Sequence, residues 1–124
     1  MGKTAVGVDL VDVRRLALMI EDAGGDFLES VWTLAERTAC GDAADRLAAR
    51  WAAKEATMKA LGVGIGTVDP IDIEVRVDDR GAPSVFLSRS AQARAAELNV
   101  ESWSVSMSHE GGMALAVAVA TLGD

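Results

Sequence analysis

Ser102-Trp103-Ser104-Val105-Ser106-Met107-Ser108-His109-Glu110-Gly111-Gly112-Met113-Ala114-Leu115-Ala116-Val117-Ala118-Val119 holds two extended runs around a glycine pair. Trp103, Val105 and Met107 alternate with serines, the period-two pattern of a half-buried strand. His109-Glu110-Gly111-Gly112 then turns the chain into an almost wholly apolar return strand. Strands joined so tightly run antiparallel, because parallel neighbours need a crossover of about a dozen residues or more. A second hairpin lies upstream: Asp72-Ile73-Glu74-Val75-Arg76-Val77 alternates, Asp78-Asp79-Arg80-Gly81 supplies a turn, and Ser84 to Leu87 returns. Hairpins interspersed with helices predict an α+β fold: a mixed sheet packed against one long helix and several shorter ones.

The long helix spans about Ala43 to Leu61, a stretch rich in Ala, free of Gly and Pro, with Asp42 at its start and Gly62 just past its end. Leu47, Trp51, Met58 and Leu61 form a stripe on its wheel that should face the core. Lys54 falls inside that stripe, Glu55 at its margin and Lys59 one step further round, so three charges crowd a buried seam. Shorter helices are expected after Asp12, with Val13, Leu16, Ala17 and Ile20 at helical spacing until Gly24-Gly25, and from about Asp26 to Val31. Two more follow, one from Thr33, where Thr33-Leu34-Ala35-Glu36 has capping-box spacing, and one over about Ser88 to Leu98. At the N-terminus Ala5 to Leu10 alternates, with Val6, Val8 and Leu10 on one face and Ala5, Gly7 and Asp9 on the other. Asp9 therefore stands near a strand-to-helix junction.

A chain of 124 residues, half of them hydrophobic, is expected to form one domain over residues 1–124. Its 19 Asp and Glu against 12 Lys and Arg give a formal charge of −7, which disfavours nucleic acid and anionic membranes as partners. The longest apolar stretch, Met113 to Leu122, falls well short of the roughly 20 residues that span a bilayer. No export signal is visible, and the lone Cys40 allows no internal disulfide, so a cytoplasmic location is expected.

Asp9, Glu55 and Lys59 admit two readings. In one, Asp9 is a strand-end carboxylate bonded to backbone or water, and Glu55 and Lys59 are a surface pair at i, i+4. In the other, the carboxylates are hard oxygen ligands for Mg²⁺, which takes one or two carboxylates and fills its other positions with water and substrate phosphates. Lys59 would then set a mobile ammonium beside the same phosphate. One His and one Cys argue against zinc. The run Gly62, Gly64, Gly66 follows a helix instead of joining a strand to one, so it meets neither dinucleotide nor P-loop spacing. Ser108-His109 lies at a hairpin mouth, where backbone and a polar ring could meet a phosphate, but adjacent strand residues point to opposite faces, which disfavours hydrolytic Ser-His chemistry.

The ordered segments together resemble the holo-[acyl-carrier-protein] synthase group of the 4'-phosphopantetheinyl transferase superfamily. They are Val6 to Arg15; Phe27 with Thr33 and Glu36; Ala49-Arg50-Trp51-Ala52-Ala53-Lys54-Glu55-Ala56-Thr57-Met58-Lys59-Ala60-Leu61-Gly62; Gly64-Ile65-Gly66; Asp72 to Val75; and Val105 to His109 followed by Ala114. The resemblance implies that fold and a homotrimer with active sites between subunits. It also implies a reaction in which a serine of an apo acyl carrier protein, of fatty-acid or polyketide type, takes the 4'-phosphopantetheine of coenzyme A and 3',5'-ADP leaves. By carry-over, Asp9 and Glu55 hold Mg²⁺, Glu55 helps to deprotonate the serine, and Lys59 contacts the phosphates. Arg50, Lys54, Gly62, Ser108 and His109 match positions around coenzyme A, and Arg14 and Arg15 match the carrier-docking position. The segment between Glu36 and Arg50 is shorter and more acidic than is usual in the family. A non-catalytic module of the same fold that binds coenzyme A or the carrier is the competing expectation.

Overall fold

A computed structural model of the chain describes residues 2–41 and 43–124; the expectation that Asp42 opens the long helix lies outside the described residues. The N-terminal strand β1 (Lys3–Asp12) pairs antiparallel with the last strand, β5 (Met113–Leu122), which also pairs antiparallel with β4 (Val100–Glu110). This β1-β5-β4 sheet thus joins the two ends of the chain. The second hairpin, β2 (Ile73–Val77) and β3 (Pro83–Leu87), forms a sheet of its own. The α+β class holds, with named strands that all pair antiparallel and divide into two sheets.

The turn of the terminal hairpin is tighter than expected. His109 and Glu110 remain in β4 across from Ala114 and Met113, and only Gly111 and Gly112 turn the chain. Their φ values of 59° and 78° are those a two-residue hairpin loop requires of both residues, and glycine meets them without a Cβ clash.

The expected helices form as α1 (Val13–Ala23), α2 (Gly25–Val31), α3 (Leu34–Cys40), α4 (Ala44–Ala60) and α5 (Arg89–Glu97). Asp12 caps α1 by accepting from Arg15 N at 3.1 Å, and Thr33 and Glu36 close the capping box at the start of α3. A single 3-10 turn at Pro70–Asp72, begun by proline, was not legible from periodicity. α4 starts without a side-chain cap at its N-cap residue Ala43, so packing rather than capping holds it.

That packing surrounds the helix. Ala48, Ala49, Ala52, Ala53 and Ala56 are all buried, together with Leu47 and Met58, so the core reaches well beyond one stripe. Small side chains on α4 and on β5 (Ala114, Ala116, Ala118) let helix and sheet approach closely. Gly7 shows how closely: a Cβ there would lie 1.9 Å from the carbonyl oxygen of Ala56. Behind α4, Phe27, Trp32 and Trp51 form a ring cluster with centroids 5.8–6.0 Å apart, and the buried Trp32 indole donates to Leu47 O.

The opposite face of the sheet has no cover. Val6, Val8 and Leu10 are 63%, 51% and 60% exposed, and Leu115, paired with Leu10, is 41% exposed. Val117 and Val119 continue the strip beside Val8 and Val6.

Candidate active site

The C-terminal half of β1 and the C-terminal half of α4 bring two carboxylates together. Asp9 leaves the β1 face that packs on α4, and Glu55 projects from the helix margin; both line a cleft of about 320 Å³ with Asp12, Arg15, Met19 and Trp51. The Lys59 ammonium, one turn past Glu55, donates to Val8 O at 2.9 Å and to Asp9 Oδ1 at 3.2 Å. Lys59 is 55% exposed and Asp9 only 17%, so a half-exposed cation sits over a mostly enclosed carboxylate.

Glu55 is the unusual member. Its Oε1 is buried and accepts no hydrogen bond. Burial first, and then the neighbouring Asp9, push its carboxyl above the usual range, while Lys59 works the other way. A buried carboxylate oxygen left without a donor carries a desolvation cost unless a cation meets it. Two hard oxygen donors, one of them unpartnered, suit a small dication that also binds phosphate oxygens. Among the described residues no group of three or more His, Cys, Asp or Glu could hold a metal, so an ion at this pair would need ligands beyond these side chains.

Arg50, Ser108 and His109 also come together, but elsewhere. They line a cleft of about 360 Å³ with Arg46, Ala39, Ala49, Val77 and Met107. Arg50 is only 6% exposed, yet its Nε is buried without a partner. A buried guanidinium with an unused donor beside a second arginine makes this cleft receptive to an anion. His109 Nε2 lies 3.9 Å from Asp45 Oδ2 at its mouth. Arg46 and Asp45 had no functional reading from sequence; the spacing of Arg46 and Arg50, one helical turn apart, was the available signal.

One chain does not unite the two clefts. Asp9 pairs with Ala116, which pairs in turn with Met107, so β5 separates the carboxylates from the Ser108-His109 edge by two strand spacings, about 10 Å. Arg50 and Glu55, five residues apart on α4, point about 140° from one another at 100° per residue.

Lys54 requires a correction. Expected beside coenzyme A, it is fully buried and donates to Glu36 Oε1 at 2.7 Å, to Pro70 O at 3.0 Å and to Ile73 O. All three ammonium hydrogens are engaged, so none remains for a ligand. Burial pulls its pKa down and Glu36 opposes that. Gly62, at φ 70°, sits one residue beyond the end-cap Leu61 of α4, three residues past Lys59, and contributes only backbone. Arg15 borders the carboxylate cleft, whereas Arg14 is exposed on α1 and does not line it.

The family model of the 4'-phosphopantetheinyl transferase superfamily matches residues 5–119. The holo-[acyl-carrier-protein] synthase of Herpetosiphon aurantiacus is 47% identical over 120 residues, covering 91% of this chain and 94% of that one. Among solved structures, holo-[acyl-carrier-protein] synthase of Helicobacter pylori in complex with coenzyme A superposes with a TM-score of 0.84 at 34% identity, covering 93% and 98% of the two chains. The Chronobacterium ammoniagenes synthase–coenzyme A complex gives 0.85 at 30% identity, covering 98% and 99%. The chain belongs to the 4'-phosphopantetheinyl transferase superfamily and is an enzyme of its holo-[acyl-carrier-protein] synthase kind.

Proposed function

We propose that this single-domain enzyme moves 4'-phosphopantetheine from coenzyme A to a serine of an apo acyl carrier protein in the cytoplasm, with Mg²⁺ at Asp9 and Glu55 and with 3',5'-ADP as the second product. The observation that carries the reading is the Glu55 oxygen, buried and unpartnered beside Asp9 and one turn from the exposed Lys59. Bound there, Mg²⁺ would supply positive charge to the pyrophosphate oxygens. Asp9 and Glu55 would hold that ion next to the β-phosphate, and the Lys59 ammonium offsets charge on the departing oxygen as the phosphorus–oxygen bond to 3',5'-ADP breaks. The carrier serine oxygen forms the new bond to that phosphorus, and its proton passes towards Glu55. Arg46, Arg50, Ser108 and His109 receive the anionic nucleotide end of coenzyme A, and Arg14 and Arg15 meet the acidic carrier.

The homotrimer belongs to this reading, and the division of these groups between two clefts supports an assembly of copies. One subunit's carboxylate cleft needs the arginine cleft of another copy, and the bare strip Val6, Val8, Leu10 and Leu115 is a surface for copies to bury. Two inactive variants, Asp9→Asn and Arg50→Ala, mixed and refolded together, should recover part of the activity, because mixed trimers contain some intact sites. No recovery from trimers shown to be mixed would rule out shared sites. Treatment with a chelator should abolish transfer and Mg²⁺ should restore it; transfer that persists in excess chelator would remove the metal from the reading.

A further inference from the structure

Lys59 has two anionic partners to choose between once the reading above is granted. Its ammonium donates to Asp9 Oδ1 and Val8 O, so it uses the same carboxylate that a divalent cation at the Asp9–Glu55 pair must share. The ammonium is the only side-chain cation in hydrogen-bond contact with Asp9 among the described residues. Glu55, one helical turn before Lys59 on α4, adds a second carboxylate, with a buried and unpartnered Oε1. Lys59 thus neutralises the pair in part, and a dication arriving there meets a positive charge already in place.

We propose that Lys59 links metal binding to pyrophosphate binding: it holds metal affinity down in the protein alone and hands over to the pyrophosphate when both ligands are present. The inference rests on the assignment of Asp9 and Glu55 as metal ligands. The side chain can make the exchange because more than half of it is exposed, and a lysine carries three donors on a flexible four-carbon stem. With pyrophosphate bound, the ammonium gains an acceptor other than Asp9, so its competition with the metal falls. Linkage is reciprocal, so coenzyme A tightens the metal by the same factor as the metal tightens coenzyme A, and Lys59 supplies part of that factor.

Removing the charge should therefore strengthen metal binding, even though it should weaken transfer. From the usual size of a surface ion pair together with the repulsion between two cations, Lys59→Met should bind a divalent cation about three- to tenfold more tightly than the native protein when no coenzyme A is present. Mn²⁺, which also prefers oxygen ligands, is a suitable probe, because electron paramagnetic resonance counts the free ion even at weak affinity. Titrations of native protein, Lys59→Met, Lys59→Arg and Asp9→Asn, each with and without coenzyme A, separate the outcomes. The expected pattern is tighter Mn²⁺ binding by Lys59→Met alone, near-native binding by Lys59→Arg, and a gain on adding coenzyme A that is smaller in Lys59→Met than in native protein. Equal or weaker Mn²⁺ binding by Lys59→Met, or an undiminished gain with coenzyme A, overturns the proposal. Native-like Mn²⁺ binding by Asp9→Asn overturns the metal assignment beneath it. Weakened binding by Asp9→Asn without tightening in Lys59→Met overturns the inference alone.

Discussion

Replacing Lys54 with methionine distinguishes an internal strut from a ligand contact. The native ammonium is fully buried and joins three parts of the chain: Glu36 on α3, Pro70 in the 3-10 turn and Ile73 at the start of β2. Glu36 is also held by Thr33 N at 2.9 Å and, through its other oxygen, by Val75 N at 3.0 Å. Methionine keeps most of the stem's volume, so the cavity contribution is small and the loss is mainly electrostatic. Removing one partner of a buried ion pair leaves the other charge unpaired, at a cost of about 3–5 kcal/mol. Against a total stability of about 5–15 kcal/mol for such a domain, that is a large fraction. For a chain of this length it corresponds to a melting-temperature drop of roughly 10–20 °C. Urea unfolding should show the loss, while the folded variant binds coenzyme A with native affinity by calorimetry. Adding Glu36→Gln should recover part of the stability, because the buried charge left behind is then gone. Native stability combined with lost coenzyme A affinity would refute the strut and return Lys54 to the ligand.

Three further outcomes follow from the same geometry. Gly7→Ala should cost about 3 kcal/mol or more, measured by urea unfolding, because its Cβ would meet backbone of α4 at 1.9 Å and cannot be relieved by a rotamer change. Glu55→Gln should raise the melting temperature at neutral pH. The native carboxyl is held above its unfolded value, so the folded state binds the proton more tightly and loses stability as pH rises from the unfolded pKa through the folded one. The variant's advantage should therefore shrink towards zero at acid pH, and an advantage independent of pH would contradict the assignment. Val8→Asp, at an exposed position, should leave helical circular dichroism intact while light scattering reports a smaller assembly and transfer falls with it.

Much of the fold was legible because local signals agreed with one another. Asp12 and Thr33 cap where their side chains predicted, and the alternation at Trp103, Val105 and Met107 turned those residues towards the core. Tertiary packing supplied what local pattern could not. A helical wheel marks Lys54 as a charge within an apolar stripe, but its acceptors come from positions 16, 18 and 19 residues away, and no spacing rule reaches them. The wheel likewise found one apolar stripe on α4 because alanines are weak markers, whereas a helix enclosed by sheet and helices buries nearly all of them. His109 was read into the turn because Gly111-Gly112 draws neighbours into a loop assignment, although the ladder to β5 continues to Glu110. Asp9, Glu55 and Lys59 could be singled out from sequence, but the unpartnered oxygen of Glu55 and the division of the site between two clefts depend on how β1, β5 and β4 are ordered.

The most direct measurement is the intact mass of an apo acyl carrier protein incubated with coenzyme A, Mg²⁺ and this protein, repeated over fatty-acid, polyketide and peptide carriers. At least one carrier should gain the mass of a single phosphopantetheine arm on its serine, with 3',5'-ADP appearing in equal amount, and Asp9→Asn and Glu55→Gln should yield neither while remaining folded. An unmodified mass on every carrier, with coenzyme A bound and Mg²⁺ present, would contradict the proposed transfer, as would native rates from either variant.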